Sequence, residues 1–196
     1  MSDHASDLVI RPVTTNHWSD VLELFGHNGA YSNCWCTWWL LTASGWDAAT
    51  KAERRERLRS EVETGHEPGL LAYRDGAPVG WCAVGPRRRY ARLNSVRSRV
   101  FRPIDELETW VINCFFVRKD QRGTGIASAL LDAATHHAAQ RGATVLEGYP
   151  LDRAMRPASA PDLFVGSLDM FREAGFDEVS RANDRPLVRL HIAETP

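Results

Sequence analysis

The sequence predicts a single α/β domain with helices around a mixed β-sheet. Short apolar runs bounded by turn residues alternate with segments whose apolar residues recur every three or four positions. One apolar run, near residue 110, continues through two glycines into a helical segment. The 196 residues contain no internal repeat and no linker-like change in composition, so we expect one domain over residues 1–196.

The N-terminal half is predicted to contain a strand, two helices and a hairpin. Thr14 or Thr15 can cap the first helix, and Asp75-Gly76 is a strong signal for a two-residue hairpin turn. A loop rich in cysteine and tryptophan, residues 31–39, separates the two helices. The other predicted elements are a strand over residues 8–13, a charged helix over residues 48–63, and hairpin strands over residues 70–74 and 79–84.

The C-terminal half contains an arginine-rich segment followed by alternating strands and helices. Seven arginines lie between Arg87 and Arg102. Because residues 86–106 show no clear period, we predict that they form an insertion between two strands. The predicted elements after this insertion are a strand over residues 108–118, a helix over residues 123–141, a strand over residues 143–149, a short helix over residues 167–174, and strands over residues 176–180 and 187–192.

Composition and charge narrow the classes of function. A net charge of −1 argues against a protein that coats nucleic acid or a membrane surface. No apolar run approaches the roughly 20 residues of a membrane helix, and the N-terminus lacks the pattern of a secretion signal. Four scattered cysteines do not make a secreted disulfide framework. We therefore expect a cytoplasmic protein for which neither a membrane nor nucleic acid is a partner.

The turn that contains Gly123 and Gly125 is the most informative segment. It joins an apolar strand to a helix, whose first N–H groups lack partners within the helix and lie at the positive end of the helix dipole. Glycines leave room for an anion to approach these groups, and Arg118, Lys119 and Arg122 add positive charge. The pattern predicts a cradle for a pyrophosphate.

Two other interpretations of this turn stay open, whereas a P-loop is excluded because its Gly-Lys-Ser/Thr is missing. A dinucleotide-binding fold fits the strand, the turn, the helix and Glu147 about 20 residues on. However, no glycine stands at the third position of that fingerprint, and the remaining residues are too few for further βαβ units. An ordinary glycine-rich turn between strand and helix is the other interpretation.

The same residues resemble the acyl-CoA signature of the GNAT superfamily of N-acetyltransferases, (Gln/Arg)-x-x-Gly-x-(Gly/Ala). In this chain the signature reads Arg-Gly-Thr-Gly-Ile-Ala over residues 122–127. Residues 170–176 resemble the family's Leu-Tyr-x-x-x-Gly-Phe helix end, and Leu146-Glu147 resembles its fifth strand. The Cys-Trp-Cys loop and the arginine-rich segment resemble a little-characterised branch of the superfamily. The resemblance implies a mostly antiparallel sheet whose fourth and fifth strands splay apart.

The resemblance also implies that acetyl-CoA, or coenzyme A, binds in the notch between those two strands. Backbone groups of Phe115 and Val117 would pair with the pantetheine arm, and the N–H groups of residues 122–127 would hold the pyrophosphate. The residues implied to contact the cofactor are Phe115, Val117, Arg118, Arg122, Gly123, Thr124, Gly125, Ile126, Ala127, Asp152 and Phe171.

The implied reaction is direct attack of an amine on the thioester, without a metal and without a covalent intermediate. Glu147 is the implied base, and the alternative is an exposed strand carboxylate. Many family members carry a tyrosine as the acid at the position of Phe171, but a phenyl ring cannot donate a proton. Tyr149 is one substitute; its alternative is a packing role, and protonation of the leaving thiolate by water also stays open.

The acceptor is expected to be the amine of a small molecule, with a protein or peptide amine and a non-catalytic CoA-binding domain as alternatives. A homodimer is compatible with the sequence. The Cys-Trp-Cys loop would form an apolar wall of the acceptor pocket or pack into the core, and its cysteines lack the second pair of a zinc site. Cys114 is interpreted as a small buried hydrophobe or as an acyl-carrying nucleophile. The arginine cluster would be solvated, hold the CoA 3′-phosphate or dock an anionic acceptor.

Overall fold

A seven-stranded sheet forms the centre of the protein in the computed structural model, which describes residues 8–95, 101–155, 162–182 and 185–192. The strands are β1 (Leu8–Pro12), β2 (Gly69–Arg74), β3 (Ala77–Pro86), β4 (Trp110–Val117), β5 (Val145–Gly148), β6 (Asp177–Ala182) and β7 (Arg185–His191). Their order in the sheet is β1-β2-β3-β4-β5-β7-β6. Neighbouring strands are antiparallel except β4 and β5, which are parallel. The predicted mixed, mostly antiparallel sheet is confirmed.

Helices cover both faces of the sheet. They are α1 (Trp18–Phe25), α2 (Ala43–Ala48), α3 (Lys51–Glu63), α4 (Ile126–Ala139) and α5 (Leu168–Glu173). Side chains of α1 and α3 pack with Leu71 and Trp81 in one core cluster, whereas those of α4 and α5 pack with Leu70 and Cys82 in another. Because successive side chains of a strand point to opposite faces, the two clusters lie on opposite sides of the sheet. We call these sides the α1 face and the α4 face.

The predicted helix over residues 48–63 was wrong at its N-terminal end, because the chain forms two helices there. Ala49 has an extended backbone with ψ 131° and separates α2 from α3. The Thr50 hydroxyl accepts from the Glu53 N–H at 3.2 Å, and the Glu53 carboxylate accepts from the Thr50 N–H at 2.7 Å. This capping box satisfies two backbone donors at the start of α3 and fixes its first residue.

Arginines hold the described part of the segment between β3 and β4 against the rest of the protein. The Arg89 guanidinium donates to the carboxylate of Glu61 on α3. Arg92 donates to the carbonyl of Trp38 at 2.6 Å, and its guanidinium lies 3.9 Å from the centroid of the Trp38 ring. For these side chains the predicted solvated loop was wrong. Two members of the predicted cluster, Arg97 and Arg99, lie outside the described residues.

Candidate active site

β4 and β5 run side by side for only three residue pairs and then part. The last pair is Ile112 with Gly148, where β5 ends, whereas β4 continues to Val117. β4 has a bulge at the same place. Ala83 and Val84 of β3 pair with the residues on either side of Asn113, so Asn113 has no partner residue on β3. A bulge bends its strand and increases the local twist. The second half of β4 is therefore separated from β5.

A cavity of about 540 Å³ lies beside this second half of β4. β4 contributes Phe115, Phe116 and Val117 to its wall. The turn before α4 and the start of that helix contribute Gln121, Arg122, Gly123, Gly125, Ile126, Ala127 and Ser128. The remaining lining residues are Tyr31, Arg153, Leu163, Phe164, Ser167, Asp169, Met170 and Glu173. The cavity thus extends from the start of α4 to residues of the α1 face such as Phe116 and Phe164.

Two glycines open the cavity at the start of α4. Gly123 and Gly125 have φ of +75° and +80°, which side-chain-bearing residues rarely adopt, and nothing lies within 4 Å of where a Cβ would stand on either. Gly125 is the N-cap of α4 and offers no side-chain oxygen to the first N–H groups of the helix. These donors are consequently available to an anion in the cavity.

Seven of the eleven residues predicted to contact the cofactor lie in the cavity wall: Phe115, Val117, Arg122, Gly123, Gly125, Ile126 and Ala127. This group contains both ends of the predicted contact, namely the second half of β4 and the glycine turn. The Arg122 guanidinium donates to the carbonyl of Val117 at 3.1 Å, which ties the turn to the end of β4. The strand and the turn thus meet at one cavity, as the sequence predicts.

The structure does not bring the other four predicted residues to the cavity wall. Arg118 forms an ion pair with Asp120 at 2.5 Å, and this guanidinium lowers the pKa of Asp120 to about 2. The Thr124 hydroxyl donates to the carbonyl of Gln121 at 2.7 Å. Both side chains therefore have partners within the turn itself.

Asp152 and Phe171 are also held elsewhere. Arg181 donates to the Asp152 carboxylate at 2.8 Å, and this hydrogen bond lowers the pKa of Asp152. Phe171 is fully buried on the α4 face, where its ring packs edge-on against Phe115 at 6.2 Å between centroids. Phe171 thus supports the wall residue Phe115 from behind. It also fills the space beside Gly148, where a Cβ would lie 2.5 Å from its ring.

Glu147, the predicted base, lies at the centre of a buried ion-pair cluster. Its side chain is 1% exposed, so the alternative of an exposed carboxylate was wrong. Arg87 donates to Oε2 at 2.7 Å, and Arg189 donates to Oε1 from Nε at 2.9 Å and from Nη2 at 2.7 Å. Both carboxylate oxygens therefore have charged partners, and Glu147 does not line the cavity.

Tyr149, the predicted acid, belongs to the same cluster. Its hydroxyl donates to Oε2 of Glu147 at 3.3 Å and accepts from Arg87. Burial, followed by the charge of Glu147, raises the pKa of Tyr149, so the phenol holds its proton more strongly than in water. The ring packs among aromatic side chains and does not line the cavity.

The partners of Glu147 are functional candidates that sequence reasoning missed. Besides binding Glu147, Arg87 donates to the carbonyl of Leu93 at 3.0 Å and to that of Phe101. Arg189 donates to the carboxylate of Asp105 at 3.0 Å. The cluster thus ties the segment between β3 and β4 to β5 and β7. No local pattern in the sequence distinguishes Arg87 from Arg88 and Arg89, whose side chains are more exposed.

Two acidic residues of the cavity wall were also missed. Asp169 and Glu173 are exposed on α5 and lie four residues apart. Residues four apart share one side of a helix, so this pair could have been found from helical spacing once α5 was placed beside the cavity. Exposed carboxylates here make the cavity suitable for a cationic ligand group as well as for an anion.

The Cys-Trp-Cys loop contributes mainly to the core. Trp35, Cys36 and Trp39 are all nearly fully buried in the cluster of the α1 face, whereas Tyr31 is about half exposed and lines the cavity. Of the two predictions for this loop, packing into the core therefore describes most of its side chains. Cys114 is buried with its sulfur against that of Cys36, away from the cavity wall.

The sequence model of the Acetyltransferase (GNAT) family matches residues 34–156, more than half of the chain. The chain belongs to the GNAT acetyltransferase family. It is therefore an acyltransferase that uses acetyl-CoA, and the cavity with its open helix start fits the anionic and extended parts of that cofactor. No curated protein matches the chain in sequence.

Solved GNAT structures share the fold of this GNAT chain. A GCN5-related N-acetyltransferase from Kribbella flavida has a TM-score of 0.52 and 15% identity, and the match covers 91% of the chain but 35% of that larger protein. Ribosomal-protein-alanine N-acetyltransferase from Brucella melitensis has a TM-score of 0.52 and 19% identity over 94% of the chain and 99% of that protein.

A third relative was solved with its ligands. Diaminobutyrate acetyltransferase from Paenibacillus lautus, in complex with L-2,4-diaminobutyric acid and coenzyme A, has a TM-score of 0.53 and 15% identity over 95% of the chain and 96% of that protein. At these identities the likeness concerns the fold. In the described ranges, every helix of the GNAT domain is too short or too polar to cross a bilayer.

Proposed function

We propose that this GNAT enzyme transfers an acetyl group from acetyl-CoA to a primary amine of a small molecule by direct attack on the thioester. One observation carries the proposal: the free second half of β4 and the open N-terminus of α4 meet at one cavity of about 540 Å³. A strand edge can pair with an extended amide chain, and a helix start can bind a pyrophosphate. Coenzyme A contains both groups.

The cavity residues would hold the cofactor by backbone contacts. The first N–H groups of α4, opened by Gly123 and Gly125, would bind the pyrophosphate, and Arg122 would add positive charge. Phe115 and Val117 would offer backbone groups to the pantetheine arm. When bound, acetyl-CoA supplies an activated acetyl thioester, and a free N–H of β4 is suited to stabilise negative charge on its carbonyl oxygen.

A small cationic amine suits the remaining walls of the cavity. Phe116 and Phe164 provide apolar surface from the α1 face, and Asp169 and Glu173 provide negative charge from α5. Opposite charge concentrates a cationic acceptor at the cavity mouth. The diaminobutyrate enzyme named above acts on a small amine of this kind. Trp35 and Trp39 of the Cys-Trp-Cys loop are buried, so they do not contribute to an open peptide-binding groove.

Glu147 and Tyr149 stay predictions as the base and the acid. Because both oxygens of Glu147 are engaged by arginines, it would have to give up an ion pair before accepting a proton. A phenol with a raised pKa, as in Tyr149, is a poor proton donor to a thiolate. The geometry favours positioning roles for both, with the acceptor proton leaving through water at the cavity mouth.

Two measurements test the proposal in sequence. The first compares the melting temperature with acetyl-CoA, coenzyme A and NAD; a ligand at 100 times its Kd should stabilise the fold by about 2.7 kcal/mol. The second measures release of free thiol from acetyl-CoA with small diamines, amino acids and peptides that carry an N-terminal alanine. We expect stabilisation by the CoA compounds and turnover with a small amine.

The other outcomes discriminate between functions. Turnover with peptides alone would assign the enzyme to protein acetylation, as in the ribosomal-protein enzyme named above. Stabilisation by CoA with no turnover on any acceptor would favour a non-catalytic CoA-binding domain. Stabilisation by NAD alone would overturn the cofactor assignment. A cytoplasmic location and a homodimeric state stay predictions, the second of which sedimentation analysis can test.

A further inference from the structure

Three cysteines form a cluster on the α1 face, outside the cavity wall. The sulfurs of Cys36 and Cys114 lie 3.1 Å apart, although these residues are 78 positions apart in the sequence. Cys36 is in the loop after α1, and Cys114 is in β4 directly before the wall residue Phe115. Disulfide sulfurs are about 2.05 Å apart, so a displacement of about 1 Å would bring these thiols to bonding distance.

The backbone holds Cys36 in this place. Trp35 and Cys36 have φ of 46° and 47°, in the left-handed region that residues with side chains rarely adopt. Such a conformation persists only where the surroundings impose it, and both side chains are almost fully buried. The contact between the two sulfurs is thus a product of core packing.

Cys34 gives this buried pair a reactive neighbour. It is partly exposed, whereas Cys36 and Cys114 are each 5% exposed. A hydrogen bond from the Cys36 thiol lowers the pKa of Cys34 to about 6, so its sulfur is mainly thiolate at neutral pH. Burial raises the pKa of Cys36. The cluster therefore combines one partly exposed nucleophile with two buried thiols behind it.

We propose that Cys34, Cys36 and Cys114 form an oxidation site, at which a peroxide converts the Cys36–Cys114 pair into a disulfide through Cys34. The Cys34 thiolate attacks the peroxide; a sulfur–oxygen bond forms, the oxygen–oxygen bond breaks, and the departing hydroxide takes up a proton to become water. The Cys36 thiol then attacks the sulfenic sulfur of Cys34, which releases a second water and forms a Cys34–Cys36 disulfide.

Thiol–disulfide exchange is the last step of the proposed reaction. The Cys114 sulfur attacks that of Cys36, and Cys34 leaves with the electron pair and recovers its thiolate. Cys34 is the favoured leaving group because the thiol with the lowest pKa leaves fastest. In the balance, two thiols are oxidised to one disulfide and one peroxide is reduced to two waters. The product links the loop after α1 to β4 next to the cavity wall.

Cys82 is a control within the same chain. It is fully buried, belongs to the cluster of the α4 face and has a pKa raised by burial. It lies on β3, and its side chain points to the opposite side of the sheet from Cys36. The proposal therefore requires that Cys82 stays reduced while the cluster is oxidised.

The test treats the full chain with a small molar excess of hydrogen peroxide at pH 7 and counts free thiols after denaturation. We expect the count to fall from the four cysteines of the chain to two, with peptide mapping locating the disulfide at Cys36–Cys114 and a dithiol reductant reversing it. Cys34→Ser, a change at a partly exposed position, should slow the loss at least about tenfold because the other thiols are buried. Cys82→Ser should leave the rate unchanged.

A second variant, Cys114→Ser, provides an independent readout if Cys34→Ser fails to fold. Cys114→Ser should stop the sequence at the Cys34–Cys36 disulfide or at a Cys34 sulfenic acid that a dimedone probe labels. Four free thiols after treatment, loss of Cys82 at the rate of the cluster, or an unchanged rate in Cys34→Ser would each overturn the proposal. None of these readouts depends on acetyl transfer, so they stand apart from the proposed function.

Discussion

Replacing Gly125 with glutamate should separate cofactor binding from folding, and Gly142 provides a matched control. Both glycines have φ of +80°, and nothing lies within 4 Å of where a Cβ would stand on either. Gly125 is the N-cap of α4, whereas Gly142 follows the C-terminal end of that helix at Ala139. Each substitution forces a side chain into the left-handed region, which costs about 1–2 kcal/mol.

The two ends of the helix give opposite electrostatic effects on stability. A carboxylate near a helix N-terminus stabilises by about 0.3–1 kcal/mol, and one near the C-terminus destabilises by a similar amount. The unfolding free energy of Gly125→Glu should therefore exceed that of Gly142→Glu by roughly 0.6–2 kcal/mol.

Cofactor binding should show the reverse order. A carboxylate about 4 Å from one phosphate charge is repelled by about 1 kcal/mol in water and by about 4 kcal/mol at an effective dielectric constant of 20. Two phosphate charges then weaken binding by at least about 2 kcal/mol, or roughly thirtyfold or more in Kd. The variant that folds better should bind coenzyme A worse.

Urea unfolding of the ligand-free variants measures their relative stability, and calorimetric titration measures their relative affinity for coenzyme A. The two rankings are expected to be opposite, which separates a binding effect from misfolding, because a loss of affinity caused by misfolding would appear in the less stable variant, Gly142→Glu. Equal affinity of both variants for coenzyme A, with Gly125→Glu folded, would refute the assignment of the pyrophosphate to the start of α4.

Three further predictions concern buried side chains. Glu147→Gln should lower the unfolding free energy by about 3–5 kcal/mol, because it leaves the buried Arg87 guanidinium without a carboxylate and Arg189 with Asp105 alone. The affinity for coenzyme A should be kept. A loss of turnover above about 100-fold in the folded variant would instead identify a base. Phe171→Ala should cost about 3–5 kcal/mol in urea unfolding, and a loss below about 1 kcal/mol would contradict its core position. Burial lowers the pKa of His137, so the unfolded state binds more protons and stability should fall as the pH drops below about 6.5. His137→Gln should reduce that pH dependence, and an unchanged pH dependence in this variant would contradict the explanation.

Local patterns in the sequence predicted most of the fold and the glycine turn that lines the cavity. Strand, glycine turn and helix follow one another within 30 residues. Gly123 and Gly125 could be identified from the sequence as turn residues, since only glycine readily takes their backbone angles. The break before α3 was missed although its signal, Thr50 followed by Glu53, was present in the sequence. This break could therefore have been predicted from the sequence.

The ion-pair cluster could not be predicted from local patterns. Glu147 has its place in β5, but its arginine partners are 60 and 42 positions away. Arg87 is the first of three consecutive arginines. It is buried, whereas its neighbour Arg88 is largely exposed. Only the tertiary arrangement decides which guanidinium meets a buried carboxylate, and the same holds for the contact of Cys36 with Cys114.

The closed set of charges around Glu147 has an evolutionary consequence. Two arginines and two carboxylates, Arg87, Arg189, Glu147 and Asp105, neutralise one another there. Loss of a single member leaves an unpaired charge in the interior, whereas replacement of a whole pair by apolar residues of similar volume can be tolerated. Substitutions at these positions should therefore occur together among descendants of a common ancestor. A homologue that lacks Glu147 is expected to have lost Arg87 or Arg189 as well.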